Sequence, residues 1–416
     1  MTLSRNLGIG AILAAGLLPA SAQSVKIGGD VQLWYTQMLD SNLRLNSKAG
    51  SYYNLRSEFQ ENSFAIRRVE VKASGTVTEE MEYEVMLDPS ITTNASNPAI
   101  LQDAILLWKS ASGVSVRMGQ FKTQQTFEGV MSSTEILFAE RSQLGRVFGD
   151  KRDRGLVASF NLGDPKSFGA KLSLGAFNGM SDAISGKGSD SNAQKDVVAR
   201  LDMNLGRDHR FGVYTLQGVT DVADKSGATI APATPPAGWP SQSDIYTSKD
   251  ATSNVGAYYV FQTSTWHFSA EAITGLLGRR FPTLAASAPA VKREHLDQKF
   301  TGYYVTGGYT FGRNTILLRY DFMNYNSGDQ WYTTYNPYKE TAPGTPKLVN
   351  GAPVDYSPKF TEITLGYTYA FIPEKVKAAN IKFNYIARSK NFLAPRAGQT
   401  GEQGGDTFVV AFLVAF

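Results

Sequence analysis

The amino-acid sequence predicts an all-β protein, a transmembrane antiparallel β-barrel of about sixteen strands. Three observations predict this fold. Apolar and polar residues alternate in about sixteen segments along the chain, short connections between these segments alternate with long ones, and the chain ends on an apolar, aromatic segment. Strict alternation is typical of strands with two different faces, and the alternation of loop length is typical of membrane barrels.

Each predicted strand is a segment of about 8 to 14 residues, close to the 9–11 residues with which a tilted strand crosses a bilayer. The predicted strands are 25–38, 64–77, 81–90, 100–109, 113–121, 155–162, 168–177, 196–206, 210–219, 253–262, 265–274, 299–311, 313–325, 359–371, 379–392 and 405–416. An even number of strands allows antiparallel closure with both termini on the periplasmic side. Closure leaves no unpaired sheet edge in lipid, and at this size the interior is wide enough for an aqueous channel.

The last strand carries large apolar residues in one register, from Phe408 and Val410 to Phe416. We expect it to close the barrel with alternate residues facing lipid. It also resembles the C-terminal aromatic signal by which bacterial outer-membrane proteins are recognised for assembly. The alternative is a buried strand of a secreted globular protein.

The N-terminus predicts export. Arg5 is followed by an apolar run, 7–18, and by the small residues 20–22, which is the pattern of a secretory signal peptide over 1–22. The run is shorter than the roughly 20 residues of a spanning helix, which is the alternative. We therefore expect one barrel domain over 23–416, in the outer membrane of a Gram-negative bacterium.

Composition excludes several function classes. The chain has no cysteine, and its formal charge of +4 indicates no nucleic-acid partner. We predict no cofactor, no metal and no enzymatic activity. His267 and Ser269 lie two residues apart on one predicted strand, about 7 Å, a spacing that we expect to be too long for a hydrogen-bonded base and nucleophile.

Two stretches carry a family resemblance. They are FAIRRVEVKASGTVTEEMEYEVMLD at 64–88 and LQDAILLWKSASGVSVRMGQFKTQQTFEGVMSSTEILFAERS at 101–142, followed by RDRG at 152–155 and FNG at 177–179. In this order the motifs resemble the phosphate-selective porin O/P family of Gram-negative outer membranes. The resemblance implies a sixteen-stranded barrel, usually a homotrimer, with a constriction loop over 122–154 folded into the lumen at mid-height. Relatives continue GQFK with Pro-Phe, whereas this chain has Gln124, Gln125, Thr126 and Phe127 there.

The expected function is a passive diffusion channel that prefers small anions such as phosphate, since a pore selects by its diameter and its lining charges. A general or cation-preferring porin and a non-conducting structural barrel are the alternatives. Basic residues on the predicted lumen faces and in the loop are the candidate anion contacts: Arg68, Lys72, Arg117, Lys122, Arg141, Arg152, Arg154, Lys171, Arg200, Arg319, Lys382 and Arg388. For the loop arginines the alternative is an ion-pair mesh that fixes the loop to the wall. Of Arg67 and Arg68 at most one should face the pore, and Arg68 is favoured.

Aromatic residues near strand ends or on lipid faces predict interfacial girdles, with outer-membrane lipid as their partner. They are Trp34, Tyr35, Trp108, Trp266, Tyr309, Tyr320, Tyr367 and Tyr369.

Overall fold

The computed structural model describes residues 25–39, 62–90, 100–164, 167–179, 194–221, 249–277, 298–324, 359–389 and 406–416, together with four short segments between 340 and 353. The signal peptide predicted over 1–22 lies outside the described residues.

Sixteen antiparallel strands form one closed barrel in which each strand pairs with its neighbours in the sequence. The strands are β1 (Lys26–Met38), β2 (Ser63–Thr78), β3 (Met81–Leu87), β4 (Leu101–Lys109), β5 (Val114–Lys122), β6 (Arg152–Asp164), β7 (Phe168–Phe177), β8 (Asp196–Leu205), β9 (His209–Asp221), β10 (Lys249–Gln262), β11 (Trp266–Leu277), β12 (Gln298–Phe311), β13 (Asn314–Asn324), β14 (Lys359–Ala370), β15 (Ala379–Arg388) and β16 (Thr407–Ala415). The predicted fold class and all sixteen predicted strands are confirmed, with ends that move by a few residues.

The barrel closes between its first and last strands. β16 pairs with β15 on one side and β1 on the other, with Val31 opposite Val414. At the end of the seam, Gly29 and Phe416 exchange two backbone hydrogen bonds of 3.0 Å. The apolar C-terminal segment is therefore the closing strand, as its alternation predicted.

The two faces of the sheet differ as the alternation predicted. On β14, Ile363 and Leu365 are exposed on the outer face, while Glu362 and Thr364 are 1% exposed on the inner face. Because the outer face meets lipid, charged and polar side chains are stabilised by facing inward.

Seven of the eight predicted girdle aromatics lie in the outward register of their strands, and the prediction is wrong for Trp34. Trp34 is 3% exposed and packs inside the barrel with Met38, Ala139 and Val409. Trp34 lies two residues after Gln32 on β1, so both side chains point inward. Gln32 donates a hydrogen bond to Ser133 inside the lumen.

A β-bulge places two adjacent arginines on the same side of β2. Gln32 pairs with Arg68 and Leu33 with Ile66, so Arg67 has no opposite residue on β1. Arg67 donates to Glu140 inside the lumen at 2.9 Å and lies over the Trp34 ring, and Arg68 donates to Gln32 at 3.2 Å. The expectation that only one of them faces the pore is wrong, because a bulge adds one residue to the strand and changes the alternation there.

Connections of two very different lengths lie at the two ends of the barrel. Short turns join β2 to β3, β8 to β9 and β12 to β13, and Gly206 and Gly312 adopt positive φ in two of them. This end is the periplasmic one, since short turns face the periplasm in such barrels. Two small ladders, Glu340–Ala342 with Thr345–Pro346 and Leu348–Val349 with Ala352–Pro353, lie in the connection between β13 and β14. No helix within the described ranges is long and apolar enough to span a bilayer.

Candidate functional site: the inner loop and the channel wall

The connection between β5 and β6 folds into the barrel. We name it the inner loop, residues 123–151. It contains one short helix, α1 (Phe127–Val130), and one π-helical turn, Gly145–Gly149. The predicted constriction loop, 122–154, was too long at both ends, because Lys122 still belongs to β5 and β6 already begins at Arg152.

An irregular loop inside a barrel has many backbone carbonyls without secondary-structure partners, and each one buried unpaired is costly. Basic side chains on the wall satisfy several of them. Lys382 donates to the carbonyls of Ile136 at 2.6 Å and Phe138 at 3.1 Å. Arg319 donates to those of Glu140 at 3.1 Å and Arg141 at 3.2 Å.

Arg200 fixes the start of the inner loop. Its Nη1 donates to the carbonyl of Thr126 at 3.0 Å and to that of Gln124 at 3.4 Å. Both loop residues have positive φ, 54° and 60°, a conformation that non-glycine residues rarely adopt and that the surroundings must hold in place. Arg200 is held in turn by Asp202, which also accepts a hydrogen bond from Tyr258. The QQTF sequence thus starts the loop through two residues with positive φ.

Two cations of the loop region also bind loop backbone. Arg141, 1% exposed, donates to the carbonyls of Glu128 at 3.0 Å and Met131 at 2.9 Å and pairs with Asp150 at 3.0 Å. Lys122 donates to the same Met131 carbonyl and pairs with Asp150 at 3.2 Å. The positive charges of Arg141 and Lys122 are therefore bound by groups of the loop itself.

Acceptors on the wall complete the attachment by binding backbone N–H groups of the loop. Glu271 accepts from Phe127 at 2.7 Å and Asp321 accepts from Gln143 at 2.8 Å. On β15 the Asn384 side-chain oxygen accepts from Ala139 at 2.7 Å. The loop is thus attached to β8, β11, β13 and β15 at points spread over its length.

Glu362 is the centre of a buried charge cluster beneath the loop. Its carboxylate pairs with Arg146 of the loop at 3.0 Å, with Arg388 at 2.8 Å and with Arg319 at 3.6 Å. Three guanidinium groups around one carboxylate compensate a charge that would be very costly if buried alone.

Most of the predicted anion contacts are therefore structural partners in this molecule. Eight of the twelve candidates are largely buried and bind the loop, the charge cluster beneath it or another wall residue: Arg68, Lys122, Arg141, Arg152, Arg200, Arg319, Lys382 and Arg388. Arg152 pairs with Asp103 on β4 at 2.8 Å. The geometry agrees with the ion-pair mesh, which was the alternative interpretation for the loop arginines.

Arg154 does not lie in the loop and does not face the lumen. It is opposite Gln120 on β5, and it shares its register with Leu156 and Phe160, which are exposed on the outer face. The prediction for Arg154 is wrong because β6 starts two residues before it, so strand alternation directs its side chain outward. Near the outer end of a strand an arginine facing lipid costs only about 0–1 kcal/mol.

The other three candidates lie on the part of the wall that the inner loop leaves uncovered. Lys72 is 43% exposed and pairs with Glu84 at 2.5 Å. Arg117 lies with its guanidinium 5.6 Å from the centre of the Phe121 ring. Lys171 is exposed on the inner face of β7. Within the described part of the chain, neither Arg117 nor Lys171 forms a salt bridge.

The burial of the wall indicates where the open channel lies. Many inward side chains on β10 to β16 are buried beneath the loop, and Tyr304, Asp321 and Thr364 are at most 1% exposed. Inward charged side chains on β2 to β4 remain accessible, including Lys109, which is 47% exposed and pairs with Glu82. The open lumen therefore lies beside β2 to β4 and reaches Lys171 on β7, whereas Ser159, Ser173 and Phe177 on β6 and β7 are at most 7% exposed.

Arg210 is an inward cation that the sequence analysis missed. It donates to Gln262 at 2.9 Å and lies over the ring of Phe127 in α1, 5.6 Å from its centre. Strict alternation against the outward Phe211 and Val213 would have assigned it to the lumen.

The expected separation of His267 and Ser269 is also wrong. The two side chains lean toward each other, and His267 Nε2 lies 3.2 Å from Ser269 Oγ. Ser269 is 2% exposed, and none of the described residues bonds to the second ring nitrogen, Nδ1, which is buried. Within the described part of the chain, no third group orients the imidazole as it would orient a catalytic base.

The tip of the inner loop reaches the periplasmic end of the barrel, beyond the mid-height that the resemblance implied. Glu135 Oε1 lies 2.7 Å from Lys377 Nζ in the turn between β14 and β15. Burial by itself raises the pKa of the Glu135 carboxyl, but the hydrogen bond and charge of Lys377 outweigh it, so the pKa lies below its usual value.

A closed sixteen-strand barrel with a lumen narrowed by an inner loop is the architecture of an outer-membrane porin, a channel protein. The sequence pattern of the family described as phosphate-selective porin O and P matches residues 41–328, more than half of the chain. The chain belongs to this family. No curated protein sequence is similar enough to this chain to count as a match.

Solved structures support the fold. The outer-membrane channel DcaP of Acinetobacter baumannii is similar with a TM-score of 0.59 and 11% identity, over 95% of this chain and 97% of that one. The trimer form of OmpT of Vibrio cholerae gives a TM-score of 0.52 with 12% identity over 95% and 100% of the two chains. An anion-selective porin from Comamonas acidovorans gives 0.51 with 12% identity over 95% and 100%. At these identities the likeness concerns the fold alone.

Proposed function

We propose that this porin is a passive diffusion channel that prefers small anions, phosphate among them. The observation that carries the proposal is the pair Arg117 and Lys171. Both face the uncovered part of the lumen, and no carboxylate among the described residues pairs with either in a salt bridge. Uncompensated positive charge on a channel wall raises the local concentration of anions.

The two cations act on the same stretch of lumen. Arg117 is close enough to Lys171 to repel its charge, and the negative charge nearest to Lys171, Asp202, is already bound to Arg200. Between them, the buried hydroxyl groups of Ser159 and Ser173 lie 2.9 Å apart and bond to each other, so they add no charge to this stretch. The predicted anion contacts that bind the inner loop affect the channel indirectly, because they hold the loop in position.

The test is the reversal potential of the purified protein in a planar bilayer with a KCl gradient. We expect a chloride-favouring potential that moves toward zero in Arg117→Gln and Lys171→Gln and further in the double variant. Arg154→Gln is the matched control, since it removes the same charge from the outward face. A potential that is the same in the double variant and the unchanged protein would contradict the proposal.

A cation-preferring channel is the second candidate, and one specific observation favours it. Asp30 lies directly opposite Glu70, and both carboxylates face the lumen beside Ser133 at the loop tip. If this pair dominates, the potential favours potassium and Glu70→Gln moves it toward zero. Correctly folded protein without any conductance would favour a structural barrel.

We also propose export by a signal peptide over 1–22 and assembly as a homotrimer in the outer membrane. The trimer is the assembly named for the Vibrio cholerae protein of similar fold. Mass determination of the mature chain and of the assembly in mild detergent tests both.

A further inference from the structure

Gly307 leaves a gap in an otherwise continuous row of apolar side chains on the outer face. The row runs across five strands in direct register, Phe261 to Phe268, Gly307, Leu318 and Leu365. All four side chains point outward with the parity of the lipid-facing set. Gly307 therefore leaves a space between Phe268 and Leu318 where a side chain would otherwise lie.

The barrel itself gives no reason for glycine at this position. An added Cβ at Gly307 would meet no atom within 4 Å, and the backbone there has no positive φ. Gly206 and Gly312 also have open space, but they adopt positive φ in turns. A glycine inside a strand often marks the close approach of a ligand, and here the approach would come from outside the barrel.

The gap opens into a groove of about 550 Å³. Its outer walls are formed by apolar side chains of neighbouring strands, among them Trp266, Tyr309, Ile316 and Leu365. The rings of Trp266 and Tyr309 lie 4.7 Å apart at its periplasmic side. Apolar surface makes up most of this lining.

The depth of the groove places it among the acyl chains of the periplasmic leaflet. Gly307 lies five residues above the periplasmic turn at Gly312, which is about 17 Å along a strand that rises 3.3 Å per residue. Strand tilt shortens this distance, and each leaflet contributes about 15 Å to the hydrocarbon core. Arg313, in the same turn, carries a positive charge at the periplasmic end of the barrel.

We propose that the Gly307 groove holds one acyl chain of a periplasmic-leaflet phospholipid. Lipid fits better than a second copy of this chain because the groove lies inside an aromatic girdle. Tyr309, Phe311 and Tyr367 beside it are exposed, and such girdles mark surfaces that meet lipid at the membrane interface.

The experiment uses the full-length protein in vesicles that contain a phospholipid with a photoreactive diazirine in its acyl chain. After irradiation, labelled peptides are mapped by mass spectrometry. We expect labelling concentrated on the peptides that contain Phe268, Tyr309 and Leu318, and reduced several-fold in Gly307→Leu, whose side chain fills the groove.

Ala170→Leu is the matched control, because Ala170 is a small outward residue near the periplasmic end of β7. It should leave the labelling of the Gly307 peptides unchanged. Heat-modifiable mobility on gels verifies that both variants fold, and Gly307→Ala gives a milder second variant. Uniform labelling around the barrel, or unchanged labelling in Gly307→Leu, would overturn the proposal. Exclusion of lipid from these peptides together with cross-links between chains would overturn it in favour of a subunit contact.

Discussion

At the residue scale, the same side-chain type serves different purposes according to its neighbours. Arg319 and Arg117 both face inward, but Arg319 is 1% exposed and binds Asp321 and two loop carbonyls, whereas Arg117 faces the open lumen. A buried guanidinium with its donors engaged has no capacity for a solute. Burial and pairing therefore distinguish the cations that attach the loop from those that can act on a solute.

Replacement of Arg319 by Met should strongly destabilise the barrel. It leaves Asp321, which is 0% exposed, without its guanidinium at 2.7 Å and leaves two loop carbonyls without donors. Removal of one partner from a buried ion pair costs about 3–5 kcal/mol. Urea unfolding in detergent, followed by heat-modifiable mobility, measures this change.

Lys72→Met is the control for that measurement. The Lys72–Glu84 pair is partly exposed, at 43% and 27%, so its loss should cost less than about 1 kcal/mol. Equal losses of stability in both variants would show that burial does not determine the contribution of these pairs.

At the element scale, the inner loop has no regular hydrogen-bond ladder and depends on wall side chains for its shape. Its start depends on Arg200 and its middle on Lys382 and Arg319. The loop in turn sets the width of the lumen. Variants of Arg200, whose partner Asp202 is 29% exposed, should therefore change pore size before they change the stability of the barrel.

Arg200→Met should release the start of the inner loop. The carbonyls of Gln124 and Thr126 lose their donor, and their positive φ is no longer held in place. We expect larger single-channel conductance, more current noise and passage of larger uncharged sugars in liposome swelling.

Arg200→Lys separates the geometry of Arg200 from its charge. Lysine keeps the charge but lacks the planar fork that binds Asp202 and the loop together. We expect it to resemble Arg200→Met in solute size and the unchanged protein in ion preference. If the lysine variant has the original pore size, the planar guanidinium of Arg200 is not what holds the start of the loop.

The loop tip should respond to acid through Glu135. Lys377 holds the pKa of this carboxyl below its usual value despite partial burial. A lowered pKa means that the ion pair stabilises the attached tip above the ordinary glutamate pKa, about 4.3, and loses this contribution as the pH falls through the lower, folded value. The pair is partly exposed, at 39% and 64%, so the effect should be modest.

Current noise recorded from neutral pH down to about pH 3 tests the response of the tip. Noise should rise at the acid end in the unchanged protein, whereas Lys377→Met should be noisier already at neutral pH. A pH profile that is the same in both proteins would argue against the ion pair.

At the scale of the whole molecule, one seam closes the barrel. Gly29 and Phe416 form a hydrogen-bonded pair, so Thr36 and Val409, which are opposite in the same ladder, form a pair without mutual hydrogen bonds. Cα atoms of such pairs are about 4.5 Å apart, within the range of a disulfide.

Thr36→Cys with Val409→Cys should therefore produce a cross-linked barrel on oxidation. The chain has no native cysteine, and both residues are small, inward and at most 3% exposed. Non-reducing gels of the denatured protein show the cross-link as a change in mobility. Thr36→Cys with Val410→Cys is the control, because Val410 faces outward, and its cross-linking in equal yield would contradict the register.

Alternation and loop length determined the fold before any tertiary information. All sixteen strands follow from the sequence because lipid on one side and water on the other impose a period of two. The inward parity of Arg117, Lys171, Arg200, Arg319, Lys382 and Arg388 follows for the same reason. The family motifs between 64 and 155 determined the position of the inner loop.

Only the tertiary structure decided which inward charges are available to a solute. Arg200 meets Thr126 across 74 residues and Arg146 meets Glu362 across 216, and no local pattern encodes such contacts. The bulge at Arg67 changed the alternation of β2, and the early start of β6 placed Arg154 in the strand and not in the loop. The sequence by itself determined a porin and the face on which its charges lie. The folded loop decided which of these charges are bound by its own backbone. A buried carbonyl needs a hydrogen-bond donor, and basic side chains on the wall provide one.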